Sequence, residues 1–213
     1  LSSEVKKDTK ITGGGNLILG SESFKNAELK GNTGDGSSIT YELTGGATMA
    51  NTNSNRYFRW TTVGAYVAKG VTLCLSVMYK PVSGADEFCM EIAYTAGYST
   101  SQSWATIKPT DQLEIEQTDG WVLRYGLWTP PDNATLKLVD MGSGTTHAGT
   151  GNYTNKFSLL HPMLQYGNAP TAWNASSGDY LTQESAKSLF SQTADEIKTE
   201  VTKSVTETVT ANV

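Results

Sequence analysis

Basic residues, cysteine, histidine and long apolar runs are all scarce in this 213-residue sequence, and each shortage closes a class of function. Sixteen Lys and Arg against twenty-one Asp and Glu leave a net charge of −5, with no basic cluster. Affinity driven by a phosphate backbone needs such a cluster, so no nucleic-acid partner is expected. Two cysteines cannot build a disulfide scaffold, so packing must hold the fold. The two histidines, His147 and His161, form no His-x-x-x-His pair and sit in no hydrolase motif such as a Gly-x-Ser-x-Gly elbow. No apolar run approaches the ~20 residues that cross a bilayer, and membrane insertion is not expected. The chain opens at Leu1 without a signal peptide and reads as a piece cut from a longer polypeptide.

What is abundant points one way. Charged residues make up only 17%, while there are 21 Gly, five Trp, ten Tyr and five Phe. That bias suits an all-β domain with many turns and argues against a helical bundle. Val71, Leu73, Leu75, Val77 and Tyr79 alternate with Thr72, Cys74, Ser76 and Met78. After a turn cluster at Pro81–Asp86, Phe88, Met90, Ile92 and Tyr94 alternate with Glu87, Cys89, Glu91 and Ala93. The two runs predict an antiparallel hairpin with a shared core. Trp121, Leu123, Tyr125 and Leu127 alternate with Val122, Arg124, Gly126 and Trp128, and one of those faces is not core. Leu136 and Leu138 open a further strand, and others are expected at 16–19, 38–43, 57–62, 63–67 and 156–165. The whole predicts a jelly-roll β-sandwich.

The pattern changes near Gly178. Every glycine, proline, tryptophan and cysteine lies at or before it. From Asp179 on, Ala186, Phe190, Ala194, Ile197, Val201 and Val205 form a stripe that returns every eleven residues, with Thr182 placed to cap a helix. The stripe has no partner stripe in the body, so a self-associating helical stalk, a coiled coil of three copies, is expected. The β-branched run from Val201 to Val213 leaves helix and strand open beyond 200, and a disordered end is the other reading. The expected organisation is a linker over 1–14, a sandwich over 15–178 and a stalk over 179–213.

Three segments resemble the carbohydrate-binding-module-like jelly rolls of tail and baseplate proteins in tailed phages and prophages. They are Gly15-Asn16-Leu17-Ile18-Leu19-Gly20-Ser21-Glu22-Ser23-Phe24, Gly120-Trp121-Val122-Leu123-Arg124-Tyr125 with Thr129–Thr135, and Phe157–Trp173, which ends Gly167-Asn168-Ala169-Pro170-Thr171-Ala172-Trp173. Ser191–Ile197 is similar to the stalks that follow such modules in tail fibres. The resemblance implies that the first and last strands pair and that Trp173 closes the bottom of the sandwich. Relatives with structural calcium carry an acidic residue in the closing strand, where this chain has Ser158, Leu160 and His161. No cofactor is expected: Asp35 and Asp140 are the candidate calcium ligands, and calcium takes six to eight oxygens.

Sugar recognition uses aromatic rings against the C–H face of a pyranose and directional polar groups for its hydroxyls. Tyr94, Tyr98 and Trp104 bracket the polar segment 96–103, Arg56, Tyr57, Arg59 and Trp60 form an aromatic–basic group, and Trp128 stands apart from Trp121. Trp104, Trp128, Tyr98, Tyr94, Arg56 and Tyr57 are therefore the candidate ligand contacts. Glu87/Glu91 and Glu114/Glu116 each lie along one face of a strand, where i, i+2 neighbours such as Glu114/Glu116 stand about 6.6 Å apart, but polar alternation on a solvent face produces the same pairs, and no catalytic residue is expected. In a reducing cytoplasm Cys74 and Cys89 are expected to stay free thiols. The function expected is a non-catalytic module of a phage tail protein, assembled in the host cytoplasm and carried on the virion. It would bind host cell-surface polysaccharide beside other tail and baseplate subunits. The alternative is a structural spacer of the tail with no glycan ligand.

Overall fold

The computed structural model describes residues 12–13, 15–32, 36–144 and 153–176. Among them are twelve strands: β1 (Thr12–Gly13), β2 (Glu28–Asn32), β3 (Ser38–Tyr41), β4 (Ala47–Thr61), β5 (Tyr66–Val67), β6 (Leu73–Gly84), β7 (Phe88–Ala96), β8 (Gln102–Ile107), β9 (Leu113–Glu116), β10 (Val122–Trp128), β11 (Ala134–Ser143) and β12 (Tyr153–Gly167). The predicted stalk lies outside the described residues.

The strands form two curved antiparallel layers sharing one member. The first half of β4 pairs with β3 and β12, and the first layer runs on through β6, β10 and β9. Its second half pairs with β2 and β11, and the second layer continues through β7 to β8. β4 crosses between layers around Asn53, which takes a left-handed φ of 48° that Asn tolerates. The bend exposes backbone and side-chain polar groups to the interior, and a buried network satisfies them. Asn51 Nδ2 donates to Asn155 Oδ1 at 2.9 Å, Asn155 Nδ2 donates to Ser143 Oγ at 2.9 Å, and Ser54 Oγ donates to Asn51 Oδ1 at 3.3 Å.

The predicted hairpin of residues 71–79 and 88–94 does not form. β6 belongs to the first layer and β7 to the second, and Leu75, Val77 and Tyr79 face Phe88, Met90 and Ile92 across the core. The apolar faces do share a core; what alternation cannot show is whether two strands lie side by side or face to face. Tyr79, Phe88 and Phe157 pack with ring centroids 5.1 to 5.6 Å apart, and Phe24 meets Phe58 and Trp60 edge-on at 4.9 and 5.0 Å. The inward face of β10 is the less hydrophobic one, Val122, Arg124, Gly126 and Trp128, and Leu127 is exposed. Arg124 is buried there, with its guanidinium 3.9 Å from the Tyr79 ring centroid, bonded to Asp86 at 2.9 Å and to Glu114. Burial opposes its charge, but Asp86 and Glu114 more than offset this, so its pKa lies above the ordinary value. Gly126 leaves room for Ile107 of β8, because any Cβ there would overlap that side chain.

The first and last described strands pair, as the resemblance implies. β1 pairs with Tyr166 and Gly167 of β12, and Leu17 donates its N–H to the Leu164 carbonyl at 2.8 Å. Asn16 is the buried clasp: its Oδ1 accepts from the N–H groups of Ile18 and Leu164, both at 3.1 Å, and its Nδ2 donates to Ser21 Oγ and the Pro162 carbonyl, both at 2.9 Å. Trp173 does not close the bottom of the sandwich. It stacks on His161 at 4.5 Å against the outer face of the first layer and donates to the Pro162 carbonyl at 3.2 Å. Burial holds His161 below the usual imidazole pKa.

Cys74 and Cys89 are free, and they lie on the outward sides of different layers. Packed sheets stand about 10 Å apart, beyond the ~7 Å Cα limit for a bridge. Burial pushes both thiols up to about 12, helped at Cys89 by Glu91 and Glu87. We expect neither thiol to react with Ellman's reagent in the native protein and both to react in guanidinium; rapid labelling of either native thiol would show that the layers open. Asn16→Ala leaves two buried backbone donors without acceptors, at ~1–3 kcal/mol each. Urea unfolding should therefore show a loss of ~3 kcal/mol, and no measurable loss would mean the clasp is replaced by water.

Candidate functional site

The outward face of the second layer carries rows of polar and aromatic side chains pointing away from the core. Register sets its rows. Glu28 on β2, Arg59 on β4, Asp140 on β11, Glu91 on β7 and Thr106 on β8 lie in one line across five strands. The next row on one side holds Lys30, Tyr57, Gly142 and Cys89, and on the other Thr61, Leu138, Ala93 and Trp104.

Asp140 is fully buried at the centre of this face, and its charge is met by Arg59 in a fork: Nε donates to Oδ1 at 2.8 Å and Nη2 to Oδ2 at 2.6 Å. This bond holds the Arg59 pKa above its ordinary value, against the effect of burial. With its head fixed, the guanidinium lies 5.5 Å from the Tyr57 ring centroid and 5.2 Å from that of Trp104. Such contacts are worth about 0.5–2 kcal/mol and hold the indole in one place on the sheet. Gly142 makes room for Tyr57, since a Cβ there would come within 2.7 Å of the tyrosine Cβ. Thr106 Oγ1 donates to Glu91 at 2.9 Å. The two buried carboxylates on this face, Asp140 and Glu91, are thus held in the sheet, and both Asp140 oxygens accept from Arg59. Asp35, the other candidate calcium ligand, lies outside the described residues.

Next to Trp104 the face sinks into an open depression of about 560 Å³ lined by Thr95, Ser99, Thr100, Gln102, Lys137 and Leu138. Its rim is the turn joining β7 to β8, where Gly97 donates to the Asn133 carbonyl at 2.7 Å and Ser99 to the Ala96 carbonyl at 2.9 Å. Tyr98 stands fully exposed on that turn.

The candidate contacts therefore separate. Trp104 is half-buried on this face and Tyr98 sits on its rim, which brings these two together. Tyr57 shares the face but is buried beside Arg59. Arg56 points to the opposite side of β4, buried at the strand crossing. Tyr94 and Trp128 turn inward and pack on each other at 4.6 Å, Tyr94 buried and Trp128 half-buried against the core. Segment 96–103 is not a plain loop, because β8 begins at Gln102 and places Trp104 on a strand. Glu114 serves Arg124 on the edge strand β9, away from this face. The sequence reading missed Thr95, Gln102, Lys137 and Leu138 as neighbours. The alternation Cys89, Glu91, Ala93, Thr95 marks their face, but cross-strand register is not written in any one strand.

Removing one partner of a buried ion pair costs ~3–5 kcal/mol. Arg59→Ala should therefore unfold at clearly lower urea, whereas the double change Arg59→Met with Asp140→Leu should recover most of the loss. Equal losses for single and double variants would show that the pair does not organise this face.

No protein-family profile and no curated protein matches the sequence. Among solved structures, the chain is similar to the enzymatically active domain of tailspike protein 4 of bacteriophage CBA120, at 12% identity and a TM-score of 0.45 over 71% of this chain and 21% of that one. It is also similar to the Family 16 Carbohydrate Binding Module-2, at 15% identity and a TM-score of 0.41 over 70% and 99% of the two chains. A third is the tripod from the baseplate of bacteriophage Tuc2009, at 12% identity and a TM-score of 0.39 over 79% and 61%. The chain spans about a fifth of the tailspike domain it matches. At these identities the likeness is one of strand arrangement and assigns this chain no ligand.

Proposed function

We propose that this chain binds carbohydrate on the outward face of its second layer. The observation that carries the reading is Trp104, fixed by Arg59 and set against a depression lined with hydroxyls, a carboxamide and an ammonium. A pyranose needs that combination: a ring for its C–H face and directional donors and acceptors for its hydroxyls. The face is open rather than enclosed, which suits a polymer threading across it. In the finer reading, the chain is a non-catalytic module of a phage tail protein that recognises polysaccharide on a bacterial host. That reading draws its support from the three sequence segments that resemble tail-protein jelly rolls. A single shallow site binds weakly, and three copies on a stalk would raise the effective concentration enough to hold a particle while each contact stays reversible.

Titration calorimetry of Trp104→Ala against an oligosaccharide bound by the wild-type chain tests the site. We expect at least a tenfold weakening, ~1.4 kcal/mol, with unfolding of the variant unchanged within ~1 kcal/mol. Unchanged affinity would move the site elsewhere, and no binding by the folded chain to any host glycan would favour the spacer role.

A further inference from the structure

We infer that the depression beside Trp104 receives an anionic substituent of the glycan, a carboxylate or a phosphate, with Lys137 as its charge partner; the inference rests on the carbohydrate reading above. β11 is irregular where it matters. Its register against β7 shifts between Leu136 and Leu138, so Lys137 is the extra residue of a bulge, a device that re-aims side chains at the edge of sites. Leu136 stays in the core, and Lys137 and the outward-facing Leu138 both line the depression. The bulged backbone is anchored, because the Lys137 carbonyl accepts from Thr62 N–H at 3.0 Å.

Three cations of the body are committed to carboxylates. Arg59 is forked on Asp140, Arg124 is shared by Asp86 and Glu114, and Lys30 is paired with Glu28. Lys137 makes no ion pair among the described residues. An acidic group also stands at the rim: Asp132, an exposed side chain near Gly97 whose Oδ1 accepts from Asn133 N–H at 2.8 Å. The remaining lining supplies neutral donors. Ser99 Oγ already accepts from Ser101 N–H at 3.1 Å, so its own proton is available to a ligand, as are the Gln102 amide and the Thr95 and Thr100 hydroxyls. One ammonium surrounded by hydroxyl and amide donors is the complement of an oxyanion on a sugar. In a chain of net charge −5, that cation is not part of a general basic surface.

The test is calorimetry on the whole chain with four probes: oligogalacturonate, the same oligomer reduced at its carboxyls, a glucosylated glycerol-phosphate oligomer, and a neutral gluco-oligosaccharide. We expect one anionic probe to bind about fivefold tighter than its neutral counterpart, with the better of the two identifying carboxylate or phosphate as the source. Lys137→Gln should erase that ratio and Lys137→Glu should invert it, while Trp104→Ala should weaken charged and neutral probes alike. Equal affinity for charged and neutral probes, or a preference untouched by Lys137→Gln, overturns the inference and leaves the carbohydrate reading standing if Trp104→Ala still weakens binding. No binding of any probe overturns both.

Discussion

One buried carboxylate governs the outward face of the second layer. Asp140 lies at the middle of that sheet on the side away from the core, where a lone charge would be intolerable. Arg59 answers it from the neighbouring strand with a two-pronged bond, and a guanidinium held at both prongs has little freedom left. Its planar head then serves as a shelf between Tyr57 and Trp104. The half-buried indole of Trp104 is therefore positioned by an ion pair, and the pair is positioned by the register of β4 against β11. Sequence dictates register, register dictates the pair, and the pair dictates where the indole stands.

The interior follows a second rule: its apolar packing is generic, and its buried polar residues carry the specificity. Phe, Leu, Met and Val side chains fill the space between layers, and volume-conserving exchanges among them such as Leu for Met cost little. Asn16, Arg124 and the Asn51–Asn155–Ser143 network could not, because each satisfies groups that nothing else reaches. Asn16 ties the opening segment to the closing strand. Arg124 fills an aromatic site that alternation alone would give to Leu123 or Tyr125. The polar network lets one strand belong to two sheets.

Much of this was legible in the residues. Period-two alternation located β6, β7, β10 and the body of β12, and the turn residues between them marked an all-β sandwich. The opening Asn16 and the closing Trp173 belong to segments picked out by resemblance, and both prove to be points where the ends of the body are fastened. Three things were not legible. Two adjacent alternating runs at 71–79 and 88–94 look like a hairpin, because hydrophobic period does not distinguish pairing from stacking. The inward face of β10 is the one bearing an arginine, since a buried guanidinium with two acidic partners reads in sequence as a solvated charge. The candidate face joins residues from β4, β7, β8 and β11, and only the pairing between strands places Trp104, Arg59, Asp140 and Lys137 on it. Composition alone grouped Trp104 and Tyr98 with Tyr94 and Trp128, which have the same chemistry but turn inward.

Two outward faces compete for a ligand. The first layer offers a smaller depression of about 200 Å³ beside the His161–Trp173 stack, bordered by Met78, Leu123 and Met163. The second offers Trp104 with its polar surround. The most direct discrimination is a nuclear magnetic resonance titration that follows the indole N–H signals of the five tryptophans as an oligosaccharide is added. The account predicts that Trp104 moves together with the amides of Gln102, Thr106 and Lys137, while Trp60, Trp121, Trp128 and Trp173 stay in place. Movement of Trp173 with the amides of Leu123 and Met163, and a silent Trp104, would contradict it.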